Sequence, residues 1–443
     1  MMNFLKIFSL SILVVCSFTA WASDQIPGAA QQQPIALTGG AVHTVAGPVI
    51  ENGIVVFDNG KITAVGARVE IPGDAKRIDV SGKRVYPGLF AVNTMLGLTE
   101  INAYDMTQDH SEGGTFNPNV RSFAAFNPDS ELVPVARANG VTHAQSIPRN
   151  GVIAGQSAVM MLDGWSWEDM SLAAPAAMQM QWPGMGINRE KEGESKTNRD
   201  KRIQQITDFF DEARAYMKAR QAAEEDGRAY HPTDIRFEAM LPVLKRQLPL
   251  VIEANGIREI QAALLFAEKQ DVKIILSGGF DGWRIAGEIK ERGVPVIIWG
   301  TQTLDMRNWE PYDKAYTLPT KLHEAGVRFC IGFGKWASSG ASDMNVRNLP
   351  YQAGSAAAYG LPKDEALKSI TLYPAQIFGV ADRVGSLETG KDATLIVTNG
   401  DPLEVTTQVE RMFIQGRAVD LSSRHTQLYK KYQEKYNQLS QTR

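Results

Sequence analysis

Residues that bind metals or transfer protons are few in this sequence of 443 residues, and they are scattered along it. The six histidines include no two that are spaced to form a pair on one strand or helix. His143 falls in a predicted strand, where we interpret it as a buried structural residue. His110 falls in a loop, where a solvated residue is favoured although loops often carry function. Imidazole-based metal chemistry therefore lacks an evident set of ligands.

Three carboxylates lie at or just beyond the ends of predicted strands: Glu253, Asp281 and Asp343. With His143 they are the candidate metal ligands, and an oxygen-rich set of this kind suits calcium, magnesium or manganese better than zinc. The alternative is that these acids form salt bridges at the rim of the fold, since Arg347 is close to Asp343 in the sequence. Both interpretations stay open, because three carboxylates without fixed spacing are a weak motif.

The middle of the chain must position these residues, and there buried strands alternate with helices. Residues 249–254 form an apolar strand, and residues 257–269 carry apolar side chains at the spacing of an amphipathic helix. Buried parallel strands joined by helices indicate an α/β fold, either a closed barrel or an open doubly wound sheet. The barrel is favoured because residues 86–379 have room for eight units and contain no glycine-rich dinucleotide loop.

Short strands and tight turns occupy both ends of the chain, at residues 34–85 and 380–420. Asn59-Gly60 predicts a two-residue hairpin between apolar runs. Neither piece is long enough to bury its own core, so we expect the two to pack together. The sequence thus predicts an α/β protein with a (β/α)8 TIM-type barrel, residues 86–379, and a small β-sandwich domain formed from both chain ends.

Two polar segments stand apart from this pattern. Residues 189–230 are dense in charge and are predicted as a helical insertion on the outside of the barrel. Residues 421–443 are predicted as a polar helical tail on the surface.

The first 22 residues have the order of a secretory signal peptide, with a weakly basic leader, an apolar run and small residues at the cleavage site. We therefore expect export, to the periplasm of a Gram-negative bacterium. No later stretch is long and apolar enough to predict a membrane span. The net charge of −3, without a basic stripe, argues against nucleic-acid binding. Cys16 leaves with the signal, so Cys330 stands alone and no intrachain disulfide is expected.

Several local sequences resemble the amidohydrolase superfamily, particularly its imidazolonepropionase-like and Xaa-Pro-dipeptidase-like branch. The resemblance covers about residues 36–420 and implies the same barrel with a sandwich from both chain ends. It also implies a hydrolase of C–N bonds (amide, non-peptide or dipeptide) that uses one or two divalent metals at the barrel mouth to activate water. The matching segments are residues 86–90 (Tyr-Pro-Gly-Leu-Phe), 127–132 (Asn-Pro-Asp-Ser-Glu-Leu), 155–158 (Gly-Gln-Ser-Ala), 347–351 (Arg-Asn-Leu-Pro-Tyr), 371–375 (Thr-Leu-Tyr-Pro-Ala) and 385–393 (Gly-Ser-Leu-Glu-Thr-Gly-Lys-Asp-Ala).

The residues at the implied metal-ligand positions depart from this pattern. Where the resemblance implies a His-Xaa-His pair, the chain has Asn93-Thr94-Met95. The fifth-strand ligand position falls near Glu253, and the sixth-strand position falls in Ser277-Gly278-Gly279, which offers no imidazole. An acidic proton acceptor is implied at the end of the last strand, and Asp343 is the candidate for this catalytic role. The candidate ligand pocket comprises Asn93, Met95, Glu253, Asp281 and Arg347.

Three functions stay open at this point. The first is a non-catalytic superfamily member that binds a small amide-type ligand or is the partner of a competent relative, with the family's divalent metal absent or atypical. The second is an active hydrolase with an atypical, carboxylate-rich metal site. The third is a scaffold role through the 189–230 insertion, and a homo- or hetero-oligomer is compatible with each. We favour absence of turnover, because loss of the imidazole ligands removes the means of activating water.

Overall fold

The computed structural model describes residues 25–101, 103–186, 192–226, 232–304, 307–334 and 343–441. The predicted signal peptide and both ends of the predicted charged insertion lie outside these ranges. The described strands are β1 (Ile35–Val42), β2 (Ile50–Asp58), β3 (Lys61–Gly66), β4 (Lys76–Asp79), β5 (Arg84–Pro87), β6 (Leu89–Thr94), β7 (Val141–Ser146), β8 (Ile153–Met161), β9 (Ser171–Gln181), β10 (Leu250–Ala254), β11 (Ile274–Gly278), β12 (Val296–Ile298), β13 (Phe329–Ile331), β14 (Leu395–Thr398), β15 (Val409–Ile414) and β16 (Arg417–Ala418). The described α-helices are α1 (Leu132–Arg137), α2 (Trp167–Met170), α3 (Glu192–Asp226), α4 (Ile235–Leu244), α5 (Ile257–Lys269), α6 (Ala286–Glu291), α7 (Lys314–Glu324), α8 (Leu349–Ala358), α9 (Lys363–Lys368), α10 (Leu372–Ile377) and α11 (Arg424–Gln441).

One sheet joins strands from both ends of the chain. Its order is β16-β15-β14-β5-β1-β2-β3, with β4 paired to β1, and β14 runs antiparallel to β5. The β2–β3 connection is the predicted hairpin, in which Asn59 and Gly60 both have positive φ, 48° and 77°, as this turn requires. Side chains from the two ends form one apolar core, where the rings of Phe57 and Phe413 pack edge to face at 5.1 Å. Neither end has this core without the other.

The second sheet is the barrel, with eight described strands in the order β13-β12-β11-β10-β9-β8-β7-β6. Its two edges approach each other where the main-chain N–H of Phe333 donates to the carbonyl oxygen of Val92 at 3.1 Å. The predicted TIM-type α/β barrel is therefore confirmed, together with the added sheet from both chain ends.

One barrel strand differs from the predicted parallel order. Strand β8 runs antiparallel to both β7 and β9, whereas the other paired barrel strands run parallel. A parallel connection needs a crossover of a dozen or more residues. Only residues 147–152 separate β7 from β8, so the chain can return only in the opposite direction.

The charged helix α3 packs on the barrel through aromatic side chains. Phe209 stacks on Phe116 with ring centroids 4.6 Å apart, and Phe210 meets Phe266 of α5 edge to face at 5.1 Å. With α4, this helix forms the connection between β9 and β10. The charge of the segment therefore reflects its solvent side, while its apolar side belongs to the core of the barrel domain.

The tail helix α11 leaves large side chains such as Tyr429, Tyr432 and Tyr436 exposed. Within the part of the chain that the structure describes, no helix has the length and apolar character needed to cross a membrane.

Candidate ligand site at the barrel mouth

A cavity of about 520 Å³ opens at the carboxyl ends of the barrel strands. Its walls come from the ends of β6, β9, β10 and β11 and from the loops that follow β6 and β7. TIM-barrel sites lie at this end of the barrel, and the volume suits a small organic ligand. Three of the residues predicted for the pocket line this cavity, namely Asn93, Met95 and Glu253.

Asn93 is fixed at the end of β6 by hydrogen bonds from both its main chain and its side chain. It is 3% exposed and has a φ of 60°, a left-handed conformation that asparagine tolerates better than most residues. Its main-chain N–H donates to Gln145 Oε1 at 3.0 Å, and its side-chain amide donates to the carbonyl oxygen of Phe333. The amide thus links the first and last barrel strands.

Hydrogen bonds between neutral side chains extend from Asn93 across the barrel interior. Gln145 Nε2 and Gln179 Nε2 each donate to Ser157 Oγ at 3.0 Å. Ser157 Oγ in turn donates to the carbonyl oxygen of Ala177 at 3.1 Å. We call Asn93, Gln145, Ser157 and Gln179 the amide network. Buried polar side chains need such partners, so the network holds β6, β7, β8 and β9 together in the region of the cavity.

Arg149 and Glu253 carry charges in the cavity wall. Arg149 Nη1 lies 3.9 Å from Glu253 Oε2, which is close enough for attraction but too far for a hydrogen bond. The two side chains are 14% and 21% exposed, and the buried Nε and Nη2 of Arg149 have no hydrogen-bond partner among the residues that the structure describes. Burial lowers the pKa of the Arg149 guanidinium, which the charges of Glu253 and Asp343 only partly offset. A buried unsatisfied donor costs about 1–3 kcal/mol, so this cation is poorly compensated.

His110 lines the same wall beside Arg149. The main-chain N–H of Arg149 donates to the carbonyl oxygen of His110 at 2.6 Å, and His110 Nδ1 lies 3.1 Å from Thr99 Oγ1. Burial lowers the pKa of His110 and the charge of Arg149 lowers it further, against a smaller opposite effect of Asp109. The imidazole is therefore neutral near pH 7 and adds no charge to the cavity.

Asp343, the predicted proton acceptor, lies behind this wall. It is 2% exposed and accepts a 2.8 Å hydrogen bond from the main-chain N–H of Met95. Its charge acts on Arg149, but its side chain does not line the cavity. The structure therefore brings Asp343 close to the predicted pocket residues without placing it among them.

Comparison with known proteins identifies the fold family. The profile of the amidohydrolase family matches residues 313–419. The solved structure of an amidohydrolase from Thermotoga maritima MSB8 has a TM-score of 0.78 and 28% sequence identity to this chain, covering 87% of it and 99% of its own length. The chain is similar to the amidohydrolase superfamily in both sequence and fold.

Two more distant proteins show the same likeness. The amidohydrolase tasK of Hapsidospora irregularis is 22% identical over 424 residues, 90% of this chain, but the chain spans only 42% of the length of that relative. The crystal structure of a prolidase complexed with N-methylphosphonate-L-proline covers 88% of this chain and its own full length, with a TM-score of 0.52 and 18% identity. At that identity the likeness concerns the fold alone. Amidohydrolases are C–N hydrolases that typically depend on a metal.

The described residues at the mouth of this barrel do not fit a divalent metal. Within the described ranges, no group of three His, Cys, Asp or Glu side chains could hold an ion. Asn93 and Met95 offer an amide and a thioether, and Ser277 Oγ accepts a 2.8 Å hydrogen bond from Trp299 Nε1. The charge that faces the Glu253 carboxylate is the guanidinium of Arg149. These groups suit hydrogen bonding to a ligand better than metal coordination.

Asp281, predicted as a pocket residue and metal ligand, lies in a separate ionic group. Its oxygens contact Arg307 Nη2 at 2.7 Å and Lys314 Nζ at 3.1 Å. Burial alone would raise the pKa of Asp281, but its bonds to Arg307 and Lys314 outweigh burial and lower it to about 2. Asp281 is therefore held in ion pairs, and it does not line the cavity.

Arg347 and His143 also lie away from the cavity lining. Arg347 Nη1 is 3.4 Å from Nδ1 of His425 on the tail helix. His143 is 1% exposed, its Nδ1 lies 2.9 Å from Thr142 Oγ1, and its ring packs against Phe90. Burial lowers the pKa of His143 to about 4, so the ring is neutral in the core.

Arg149 and the amide network were not predicted from the sequence. The signal for Arg149 is its position, three residues beyond the end of β7, where side chains can face the mouth. The signal for Gln145 and Gln179 is that each is a polar residue within a buried strand. These residues carry neither an imidazole nor a carboxylate, so a search for metal ligands does not identify them.

Proposed function

We propose that this amidohydrolase-superfamily protein is exported and binds a small amide-type ligand at the barrel mouth without metal-assisted hydrolysis. The observation that carries the proposal is the contact between Glu253 and the Arg149 guanidinium, 3.9 Å apart. This carboxylate is the one acid of the predicted pocket set that lines the cavity. A fixed cation beside it opposes the approach of a divalent metal ion by charge repulsion.

The chemistry of the cavity supports binding more than turnover. Metal-assisted hydrolysis requires an ion that lowers the pKa of a bound water and polarises the substrate carbonyl. Asn93, Gln179 and Ser277 instead present neutral donors and acceptors. A few placed polar groups in a partly apolar cavity are the usual means of orienting a small ligand, and amide groups complement another amide.

Export and partnership are further parts of the proposal. They are supported by the leader-like order of residues 1–22 and by the departure of Asn93-Thr94-Met95 from the His-Xaa-His pattern. A periplasmic protein of this kind could deliver its ligand to, or act as a subunit of, a competent relative.

The first test is the divalent-metal content of the mature protein, purified from the periplasm without chelators or a His-tag. We expect less than about 0.1 equivalent of metal in a folded protein, with no hydrolysis of a dipeptide panel. A stoichiometric metal, or turnover abolished by chelation, would contradict the proposal.

The matched variant is Asn93→His with Met95→His, which restores the two imidazoles at the end of β6. If this variant takes up metal and the wild-type protein does not, loss of the two imidazoles explains why the wild type binds no metal. Failure of the variant to take up metal would indicate that Arg149 and the amide network also exclude an ion.

An active hydrolase with an atypical, carboxylate-rich site is the second candidate. It is supported by Glu253 and Asp343, both of which act electrostatically on Arg149. This candidate predicts that Glu253→Gln removes both bound metal and turnover, whereas the binding proposal predicts neither to be present.

A further inference from the structure

The tail helix α11 is attached to the rest of the protein at its beginning. Ser423, which precedes the helix, is buried, and its hydroxyl accepts a 3.4 Å hydrogen bond from the main-chain N–H of Thr426. In the first turn, His425 Nδ1 lies 3.4 Å from Arg347 Nη1. Beyond this turn, every residue from 427 to 440 is exposed. A stretch of this length spans about 20 Å of helix, so most of α11 stands in solvent.

Large side chains occupy one face of this exposed part. Leu428, Tyr429, Tyr432 and Tyr436 are between 40% and 68% exposed. The three tyrosines follow one another at spacings of three and four, which places them on the same face of a helix. Given about 3.6 residues per turn, the four side chains fall within an arc of about 100°. We call these four residues the tyrosine stripe.

Positive charges border the tyrosine stripe. The helix carries four basic residues and one acid, which are Arg424, Lys430, Lys431, Lys435 and Glu434. By helical position, Lys431 and Lys435 lie along one edge of the stripe. The Nζ of Lys435 is 5.8 Å from the ring centroids of both Tyr432 and Tyr436. Since the whole chain has a net charge of −3, this positive charge is a local property of α11.

A helix of this composition gains little stability from its own sequence. Isolated helices of this length are marginal in water, and proteins stabilise them mainly by packing an amphipathic face against another surface. Tyrosine is also a weaker helix former than alanine or leucine. A surface that covers the tyrosine stripe would therefore stabilise the helix as well as bury its apolar side chains.

The charge of α11 selects among the surfaces that could cover the stripe. A second copy of the helix would bring equal positive charges together, which opposes self-association. An anionic lipid surface attracts the same lysines. Tyrosine favours the boundary between lipid headgroups and acyl chains, and lysine extends from that boundary to the phosphates. Helices with an apolar face bordered by lysines lie in the plane of the bilayer surface.

We propose that α11 attaches this protein to the surface of an anionic phospholipid bilayer. The tyrosine stripe lies at the headgroup boundary, and Lys431 and Lys435 contact lipid phosphates. The attachment is peripheral, and the barrel stays outside the bilayer. This inference goes beyond ligand binding at the barrel mouth and does not depend on it.

The test is co-sedimentation of the full-length mature protein with vesicles. One set contains phosphatidylglycerol and phosphatidylcholine, and the other contains phosphatidylcholine alone. We expect the partition coefficient to be roughly tenfold or more higher for the anionic vesicles and to fall as salt is added, because salt screens exposed charges. Absence of binding to anionic vesicles, or equal binding to both sets, overturns the inference.

Two double variants test the two parts of the surface. Tyr432→Ser with Tyr436→Ser removes apolar area, and Lys431→Gln with Lys435→Gln removes charge. Each should weaken the partition onto anionic vesicles by roughly tenfold. All four positions are exposed, so the variants should fold like the wild type, which circular dichroism and urea denaturation check. Unchanged binding in both folded variants overturns the inference.

The matched control is Tyr104→Ser with Tyr312→Ser, which removes two exposed tyrosines outside α11. It should bind vesicles like the wild type, and an equal loss in this control contradicts a specific role for the helix. The wild type and the tyrosine variant are also compared by analytical ultracentrifugation without lipid. If the wild type is a dimer and the variant is a monomer, a second copy covers the stripe and the inference is wrong.

The orientation of the helix is tested with a fluorophore that brightens in an apolar environment. Cys330 is buried, so a new cysteine on α11 can be labelled selectively. The label at Tyr436→Cys should brighten and shift to the blue when anionic vesicles are added. The label at Asn437→Cys, on the polar side of the helix, should change little. Equal changes at both positions contradict the proposed orientation.

Discussion

The barrel mouth and the segment that leads into α7 each contain a buried ionic group, but the two are bonded very differently. In the second group, Asp281 and Glu310 each contact both Arg307 and Lys314 at 2.5–3.1 Å. Every member thus has two partners of opposite sign. Buried charges are tolerated in proteins on this condition, and the group has the bonding of a structural element.

At the mouth, by contrast, Arg149 pairs with Glu253 at 3.9 Å, and two of its buried nitrogens have no hydrogen-bond partner within the described part of the chain. The comparison teaches that burial and charge do not distinguish a ligand site from a structural ion pair. The closeness of the ion pairs does distinguish the two groups, because every pair of the second group lies within 3.1 Å although Glu310 Oε2 is also without a hydrogen-bond partner among the described residues. We call the set of Asp281, Arg307, Glu310 and Lys314 the α7 ionic group, and Arg149 with Glu253 the mouth pair.

The largest expected effect comes from breaking the α7 ionic group. Lys314→Met leaves Asp281 and Glu310 with one cation between them in a buried setting. We expect a loss of about 3–5 kcal/mol in the free energy of unfolding, measured by urea denaturation. Arg246→Met, which breaks an exposed pair, should change it by about 1 kcal/mol or less. A loss below about 1 kcal/mol in Lys314→Met would remove the contrast between the two groups.

Acid should weaken the α7 ionic group through Asp281. Its pKa is about 2 in the folded protein, below the ordinary 3.8, so its contribution is present above about pH 4 and is lost as the pH falls towards 2. The size is on the order of 2 kcal/mol. Asp281→Asn should show a correspondingly smaller loss of stability between pH 5 and pH 2 than the wild type. Equal slopes in both proteins would show that Asp281 is not the responsible carboxyl.

Removing the shared acceptor of the amide network should have an intermediate effect. Ser157→Ala leaves the side-chain amides of Gln145 and Gln179 without their common partner. We expect a loss of about 1–3 kcal/mol in unfolding free energy. Ser440→Ala, on the exposed tail helix, should change it by less than about 0.5 kcal/mol. An unchanged stability in Ser157→Ala would mean that the two glutamines find other partners.

The sequence predicts the framework of this molecule better than its site. The alternation of strands and helices and the Asn59-Gly60 turn depend on local periodicity and turn chemistry, and they agree with the structure. The reversed β8 was not foreseen, although the six residues between β7 and β8 are too few for a parallel crossover.

The site is harder to predict because it depends on contacts between distant positions. Residues Arg149 and Glu253 are more than a hundred positions apart, and only the closed barrel brings them together. Asp281 lies three residues beyond the end of β11, and Glu253 lies next to the end of β10. Arg307 and Lys314 nevertheless hold Asp281 in another group. The position of a carboxylate near a strand end therefore identified it as a candidate. Its ion-pair partners, which the sequence does not reveal, determine whether it lines the cavity.

The smallest expected effect on stability comes from the mouth pair, and it tests the comparison most directly. Arg149→Met removes a buried cation whose Nε and Nη2 make no hydrogen bonds to described residues, while Glu253 keeps access to water through its 21% exposed side chain. The lost attraction and the relieved desolvation oppose each other, so the free energy of unfolding should change by about 1 kcal/mol or less. A destabilisation of about 3 kcal/mol or more would instead place Arg149 with Lys314 as a structural cation. A near-neutral change in stability together with loss of ligand binding is the combination expected of a charge retained for its ligand, since such residues contribute to function without contributing to stability.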